Sequence, residues 1–236
     1  MSYYHGIMDL GFDLISDLNI TDISQFDWEG KPTSLYCILP GNISTDLNVV
    51  HQVLQHLSQY YQGIFYIDGR LENPSLNDRA FVIEKINEMV ASVPNLVYLH
   101  NNVVVIEGVA VVGVNGWSQY DVTTDDDKFQ LKSYKYDDLA YLQKTIEKLQ
   151  LHMDVKKIVI ISNSVPSIDL YFGEFPYSEH PEIDLDFILD SDTENKIKYW
   201  AFGSHKKIVD TNRYGINYLN NPKYENLPYY AKRISI

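Results

Sequence analysis

Phe12 to Ile20 reads FDLISDLNI. From Met8 to Ser16 the chain alternates and then turns fully apolar at Leu14 and Ile15, the pattern of a strand entering a sheet covered on both faces. Asp17 falls at the carboxyl end of that strand. In layered α/β folds this end carries the loops that do chemistry, so an aspartate there is a candidate ligand or catalytic group. The competing reading is local, an Asx residue that caps or turns the loop Asn19-Ile20-Thr21-Asp22. Taken alone, the segment favours the local reading.

Downstream, the same arrangement recurs. Ser34 to Leu39 is a second apolar run, closed by Pro40-Gly41-Asn42, and Asp46 to Tyr61 follows as a helix with Leu47, Val50, Val53, Leu54 and Leu57 on one stripe. Gly63 breaks it. Ile64 to Ile67 is the next strand, ending in Asp68-Gly69-Arg70-Leu71-Glu72, and Leu76 to Ser92 reads as a second helix packed through Phe81, Ile83, Ile86, Met89 and Val90. A βαβα order implies parallel crossovers. Leu96 to Leu99, Val103 to Glu107 and Val109 to Val114 are then three short β-rich runs with tight connections, which predict antiparallel hairpins. Asp125, Asp126 and Asp127 read as a solvated loop. Tyr136 to His152 is a third helix with Leu139, Leu142, Ile146 and Leu149 inside, and Ile183 to Leu189 a fourth, short one. The strand Lys157 to Ile161 ends in Ser162-Asn163, and Lys198 to Phe202 ends in Gly203-Ser204-His205-Lys206. Ile208 to Thr211 and Ile216 to Leu219 form a last hairpin.

At 236 residues and 45% hydrophobic content, one large α/β domain over 1–236 with a single core is the economical reading. The 19 basic and 32 acidic residues give a formal charge of -13, which repels phosphates and argues against non-specific binding to nucleic acid. Cys37 is the sole cysteine, so no intramolecular disulfide or thiolate metal cluster forms, and within SLYCILP it reads as a buried strand residue. The first residues lack a basic region followed by an apolar run, and nowhere do roughly 20 apolar residues follow one another. The expectation is a cytoplasmic protein with no membrane association.

In order and spacing, the five strand ends resemble the calcineurin-like metallophosphoesterases. That family's signature runs Asp-x-His, Gly-Asp, Gly-Asn-His-Asp/Glu, a strand ending in Thr-His, and Gly-His-x-His. Here the five places read Asp17-Leu18-Asn19, Gly41-Asn42, Gly69-Arg70-Leu71-Glu72, Ser162-Asn163 and Gly203-Ser204-His205-Lys206. Gly41, Gly69, Gly116-Trp117, Pro166, Gly203 and Asn221-Pro222 match scaffold positions, so the resemblance spans Leu14 to Tyr224. It implies an α/β fold, a four-layer α-β-β-α sandwich of mixed sheets. In the family, two metal ions at the strand ends hydrolyse phosphomonoesters or phosphodiesters.

Carried over position by position, the resemblance keeps the framework and loses the chemistry. One metal would draw on Asp17 and on positions now held by Asn19, Asn42 and Lys206; the other on Asn42, Arg70, Asn163 and Ser204. Leu71 replaces the histidine that assists the leaving group. Two divalent ions need anionic or imidazole ligands to offset their desolvation, and neutral amides do not supply them. The expected reading is a catalytically inactive pseudoenzyme with no cofactor, a binding or structural module with a protein partner or self-association. The aromatic residues Tyr171, Phe172, Phe175, Tyr177, Tyr224, Tyr229 and Tyr230 either offer surface for such a contact or close the domain's own core edge. Phosphoesterase-like proteins of this size are frequent in tailed bacteriophages and bacteria; phage origin would place the chain in host cytoplasm or virion. Two alternatives stand beside it. One is a phosphoesterase with a single Mn or Mg at Asp17, Asn19 and Asn42, with Glu72 or Asp68 as further donors. The other is a metal-free phosphate or nucleotide binder using Arg70, His205 and Lys206. A further expectation is that Arg70 or Lys206 pairs with Asp17, side-chain cations standing in for metal.

Overall fold

The computed structural model describes residues 10–28, 31–117, 120, 122, 124–171, 185–225 and 227–236. Its strands are β1 (Gly11–Leu14), β2 (Tyr36–Leu39), β3 (Gly63–Tyr66), β4 (Leu96–Tyr98), β5 (Asn102–Ile106), β6 (Val109–Val114), β7 (Lys157–Ser162), β8 (Ile197–Phe202), β9 (Asp210–Arg213), β10 (Ile216–Leu219) and β11 (Lys232–Ser235). The helices are α1 (Leu47–Ser58), α2 (Arg79–Ser92), α3 (Asp125–Leu151) and α4 (Leu185–Ser191).

The strands make two sheets, one of five in the order β11-β1-β2-β3-β4 and one of six in the order β5-β6-β7-β8-β10-β9. Strands β1 to β4 run parallel, as do β6, β7, β8 and β10, while β11, β5 and β9 add antiparallel edges. Alternation within single strands sets the layers, because successive side chains point to opposite faces. In β2, Ile38 turns inward to a core between the sheets with Phe12, Phe65, Val159 and Ile161. Its neighbours Cys37 and Leu39 turn outward to α1 and α2, against Val53, Leu57 and Ile86. In β7, Ile158 and Ile160 face Leu142, Ile146 and Ile188 of α3 and α4. Helices, sheet, sheet, helices is therefore the order of layers, the four-layer mixed sandwich expected.

Local signals set the helix ends. Asp46 caps α1 by accepting from Asn48 N at 2.8 Å, and Thr124 caps α3 by accepting from Asp127 N at 3.1 Å. At the far end of α3, Lys196 Nζ donates to the carbonyls of Leu149, Gln150 and His152 at 2.8, 2.8 and 3.0 Å, complementing the negative helix terminus.

Several expectations are corrected. Asp125, Asp126 and Asp127 are not a loop but the first turn of α3, where carboxylates favour the helix dipole. Leu96–Tyr98 makes no hairpin; it runs parallel to β3 and ends the first sheet, leaving the antiparallel pair to β5 and β6. The second helix opens with a 3-10 turn over Leu76–Asp78, and rotation of α2 buries Arg79, Val82, Ile86 and Met89 while Phe81 stays 55% exposed. Strand β11 had no counterpart in the sequence reading. Of the aromatic residues that could either face a partner or close the core edge, Tyr229 is buried and does the latter, while Tyr224 and Tyr230 are exposed. Phe172, Phe175 and Tyr177 lie outside the described residues, as does the side chain of Tyr171.

Candidate functional site

The carboxyl ends of β1, β2, β3, β7 and β8 meet at one rim, and their loops are cross-braced by backbone. Asp17 N donates to Gly41 O at 3.3 Å, Asn19 N to Asn42 O at 3.1 Å, and Gly203 N to Ser162 O at 3.1 Å. Asp17, Asn19, Asn42 and Ser204 hold left-handed backbone, with φ of 49°, 50°, 58° and 57°. Asx residues tolerate that region; for Ser204 it is strained, and such strain persists only where surrounding contacts fix it.

Those contacts are a closed polar knot. Asp17 Oδ1 accepts from Asn42 Nδ2 at 2.9 Å and from Ser204 N at 2.8 Å. Asn42 Nδ2 also donates to Ser204 Oγ at 3.0 Å, and that hydroxyl donates to Asn163 Oδ1 at 2.9 Å. Asn163 Nδ2 reaches Pro40 O at 2.7 Å, and Asn42 Oδ1 accepts from Leu71 N at 3.2 Å. Four of the positions singled out in the sequence, Asp17, Asn42, Asn163 and Ser204, are thus bonded to one another, and Leu71 joins through its backbone.

The remaining positions lie nearer solvent. Asn19 is exposed, its amide donating to its own loop at Asp17 O, 2.7 Å away. Lys206 is exposed and Arg70 half-buried. The expectation that either pairs with Asp17 fails: Oδ1 accepts from a neutral amide and a backbone N–H, the Ser16 side chain and the His205 backbone add weaker bonds, and no ion pair with either cation is found. The geometry leaves the buried Oδ2 without a well-formed bond. Burial pushes the Asp17 carboxyl up to about 7, against the pull of the Asn42 and Ser204 hydrogen bonds. His205 is buried, its Nδ1 within 2.8 Å of Lys207 O and accepting from Lys207 N at 3.1 Å.

Glu72 spends both carboxylate oxygens on backbone N–H groups. Its Oε2 accepts from Gly69 N and Asn42 N at 2.7 and 3.1 Å, and Oε1 from Ile43 N at 2.6 Å, so one carboxylate staples the β2 and β3 turns. Burial pushes it up to about 7 despite these bonds.

The packing leaves little room beside the turns. A Cβ on Gly69 would lie 2.4 Å from Asn42 Oδ1 and 2.5 Å from Asn163 Nδ2. We expect Gly69→Ala to cost about 2–3 kcal/mol in urea unfolding, since none of these atoms is a free side-chain tip; an unchanged midpoint would mean that the knot is looser than its distances say.

Sequence reading missed the polar group behind this rim. Asp68, fully buried at the end of β3, accepts from Arg79 Nη1, Asn73 Nδ2 and Tyr98 Oη. Arg79 also donates to Asn73 Oδ1 and Tyr98 Oη, each at 3.0 Å, and stacks over Trp117 with 4.8 Å from Cζ to the ring centroid. Burial works against the guanidinium's charge, but Asp68 and Tyr98 more than offset it and hold its pKa above the ordinary value. Asp138 on α3 accepts from Gly116 N at 2.7 Å, and burial raises its carboxyl to about 6. Arg79 carried a signal in hindsight: a cation in a position that amphipathic spacing turns inward.

A pair of metal ions does not fit this donor set. The knot offers one carboxylate, whose Oδ1 is already engaged, together with two amides and a hydroxyl that hydrogen-bond one another. Among the described residues no three His, Cys, Asp or Glu side chains are grouped to hold an ion.

No protein-family model matches the chain, and no curated protein matches it. Solved structures do. Phosphopantetheinyl hydrolase from Mycobacterium tuberculosis aligns with a TM-score of 0.63 and 11% identity over 96% of each chain. A putative 5'-nucleotidase from Staphylococcus aureus aligns at 0.57 and 12% over 91% of this chain and 48% of its own. The anchor in the inner membrane complex of Plasmodium aligns at 0.55 and 10% over 91% of this chain and 72% of its own. Identities this low speak to architecture alone. With two mixed sheets between helical layers and these structural neighbours, the chain has the calcineurin-like metallophosphoesterase fold.

Proposed function

We propose that the chain is a catalytically inactive protein of metallophosphoesterase fold, used as a binding or structural module with a protein partner or a second copy. One observation carries this reading: the strand ends that would hold two cations are tied to each other through Asp17, Asn42, Ser204 and Asn163. Freeing those groups for a metal would break a buried network whose members then need new partners. Among the described residues no helix is long and apolar enough to cross a membrane. A cytoplasmic location, in a host cell or virion, belongs to the same reading.

The test is calorimetric titration of metal-stripped protein with Mn or Mg, alongside melting curves. We expect no binding heat, no shift in Tm, and no turnover of phosphomonoester or phosphodiester substrates. A second reading, a single hard cation at Asp17, Asn19 and Asn42, has one observation in its favour, the buried and unpartnered Asp17 Oδ2. Saturable binding of one ion that Asp17→Ala removes would select it. An ordered phosphate beside Arg70 would select the anion-binding reading instead.

A further inference from the structure

Buried polar atoms nearly always find a partner, so a group of exceptions in one place calls for a cause. Eight buried side-chain atoms among the described residues lack one, and five of them fall together: Tyr66 Oη, His100 Nδ1, Asn101 Oδ1, Trp117 Nε1 and Tyr120 Oη. Four of these residues carry rings, and with Tyr98 standing between Tyr66 and His100 those rings form a continuous run, Asn101 following His100 in the chain. Tyr66 lies 6.2 Å from Tyr98 between ring centroids, Tyr98 lies 6.0 Å from His100, His100 lies 6.1 Å from Trp117, and Trp117 lies 5.9 Å from Tyr120. The Arg79 to Asp68 ion pair sits along this run, bonded to Tyr98 and stacked on Trp117. At the outer end Tyr120 is half-buried and within electrostatic reach of Arg70 and Glu72, next to the knot.

We infer that this aromatic strip is an internal binding site for small neutral molecules that both donate and accept hydrogen bonds. The five atoms set that chemistry. Trp117 Nε1 only donates, Asn101 Oδ1 only accepts, and the two tyrosine hydroxyls and the histidine nitrogen do either. An ion is disfavoured because Asp68 and Arg79 already neutralise each other, and burial holds His100 in its neutral form, with a pKa lowered to about 4. Ordered water is the smallest occupant of this class, each molecule taking about two to four polar partners. A small amide or polyol has the same groups. The site is separate from the strand-end knot and uses none of its side chains.

The experiment is a crystal structure of the full chain at a resolution that orders water, with native mass spectrometry of the same preparation. Density within hydrogen-bonding distance of two or more of the five atoms is the expected result. The mass then separates the sources: that of the chain alone means water, and a constant excess means a retained solute. Five polar atoms packed only against carbon would overturn the inference. Where crystals do not reach that resolution, Tyr66→Phe decides. Removing a hydroxyl that holds an occupant lowers Tm by about 2–4 °C in a domain of this size, whereas removing an orphan leaves Tm unchanged or raises it, and the inference falls.

Discussion

Raising the pH from about 5 to about 8.5 in metal-free buffer should lower the melting temperature, and Asp17→Asn should recover part of that loss, the rest coming from Glu72 and Asp138, whose carboxyls burial also raises. The folded-state pKa of Asp17 lies at about 7 against an ordinary 3.8, because burial disfavours its charged form. Between those values the native state binds the proton and the unfolded chain does not. The stability this supplies is fully present below about pH 4 and is lost as pH rises through about 7. A shift of roughly three units sets a ceiling of about 4 kcal/mol. Asparagine keeps the oxygen that accepts from Asn42 and Ser204, and puts a neutral group where Oδ2 has no partner. We expect a gain of about 1–3 kcal/mol at pH 8.5, or about 3–8 °C, smaller at pH 5 and shrinking toward zero as the pH falls to about 4. Glu72→Gln should behave oppositely and destabilise at both pH values, since both of its oxygens accept backbone N–H groups. A lower Tm for Asp17→Asn at pH 8.5 would mean that the carboxylate is needed charged, and would revive the single-cation reading.

Arg79→Met is expected to be the most damaging single change. It leaves Asp68, which has no solvent exposure, with Tyr98 and Asn73 as its remaining side-chain donors. Breaking one side of a buried ion pair typically costs about 3–5 kcal/mol, most of it from the charge left behind. Adding Asp68→Asn should therefore return part of the loss, and a double-mutant cycle in urea measures how much. A midpoint for Arg79→Met within about 1 kcal/mol of wild type would show that Asp68 does not depend on this partner.

The same two sites show where sequence is readable and where it is not. Turns such as Pro40-Gly41-Asn42 and Gly203-Ser204 were legible because backbone of positive φ or close approach demands Gly or Asx, a local requirement. Their convergence followed from the ordered set. What filled the space between them did not: Asp17 was expected to attract Arg70 or Lys206 on charge alone, but a neutral amide at Asn42 and the Ser204 N–H reach it first. Long-range pairing was equally hidden. Nothing local tells Leu96–Tyr98 to join β3 rather than β5, and β11, with charged Lys232 and Arg233, lacks the apolar run of a sheet strand. The early start of α3 rests on the Thr124 cap and its acidic first turn, signals that apolar spacing does not register.

Strand β11 also bears on when the protein can fold. It pairs with β1, and the adjoining lock, in which Ser16 N donates to the hydroxyl of Tyr229 at 3.1 Å, joins residues 213 positions apart. At synthesis rates of about 5–20 residues per second, β1 leaves the ribosome about 10–40 s before this partner exists. Through that interval one edge of the first sheet stays open, a surface on which nascent chains meet chaperones or one another.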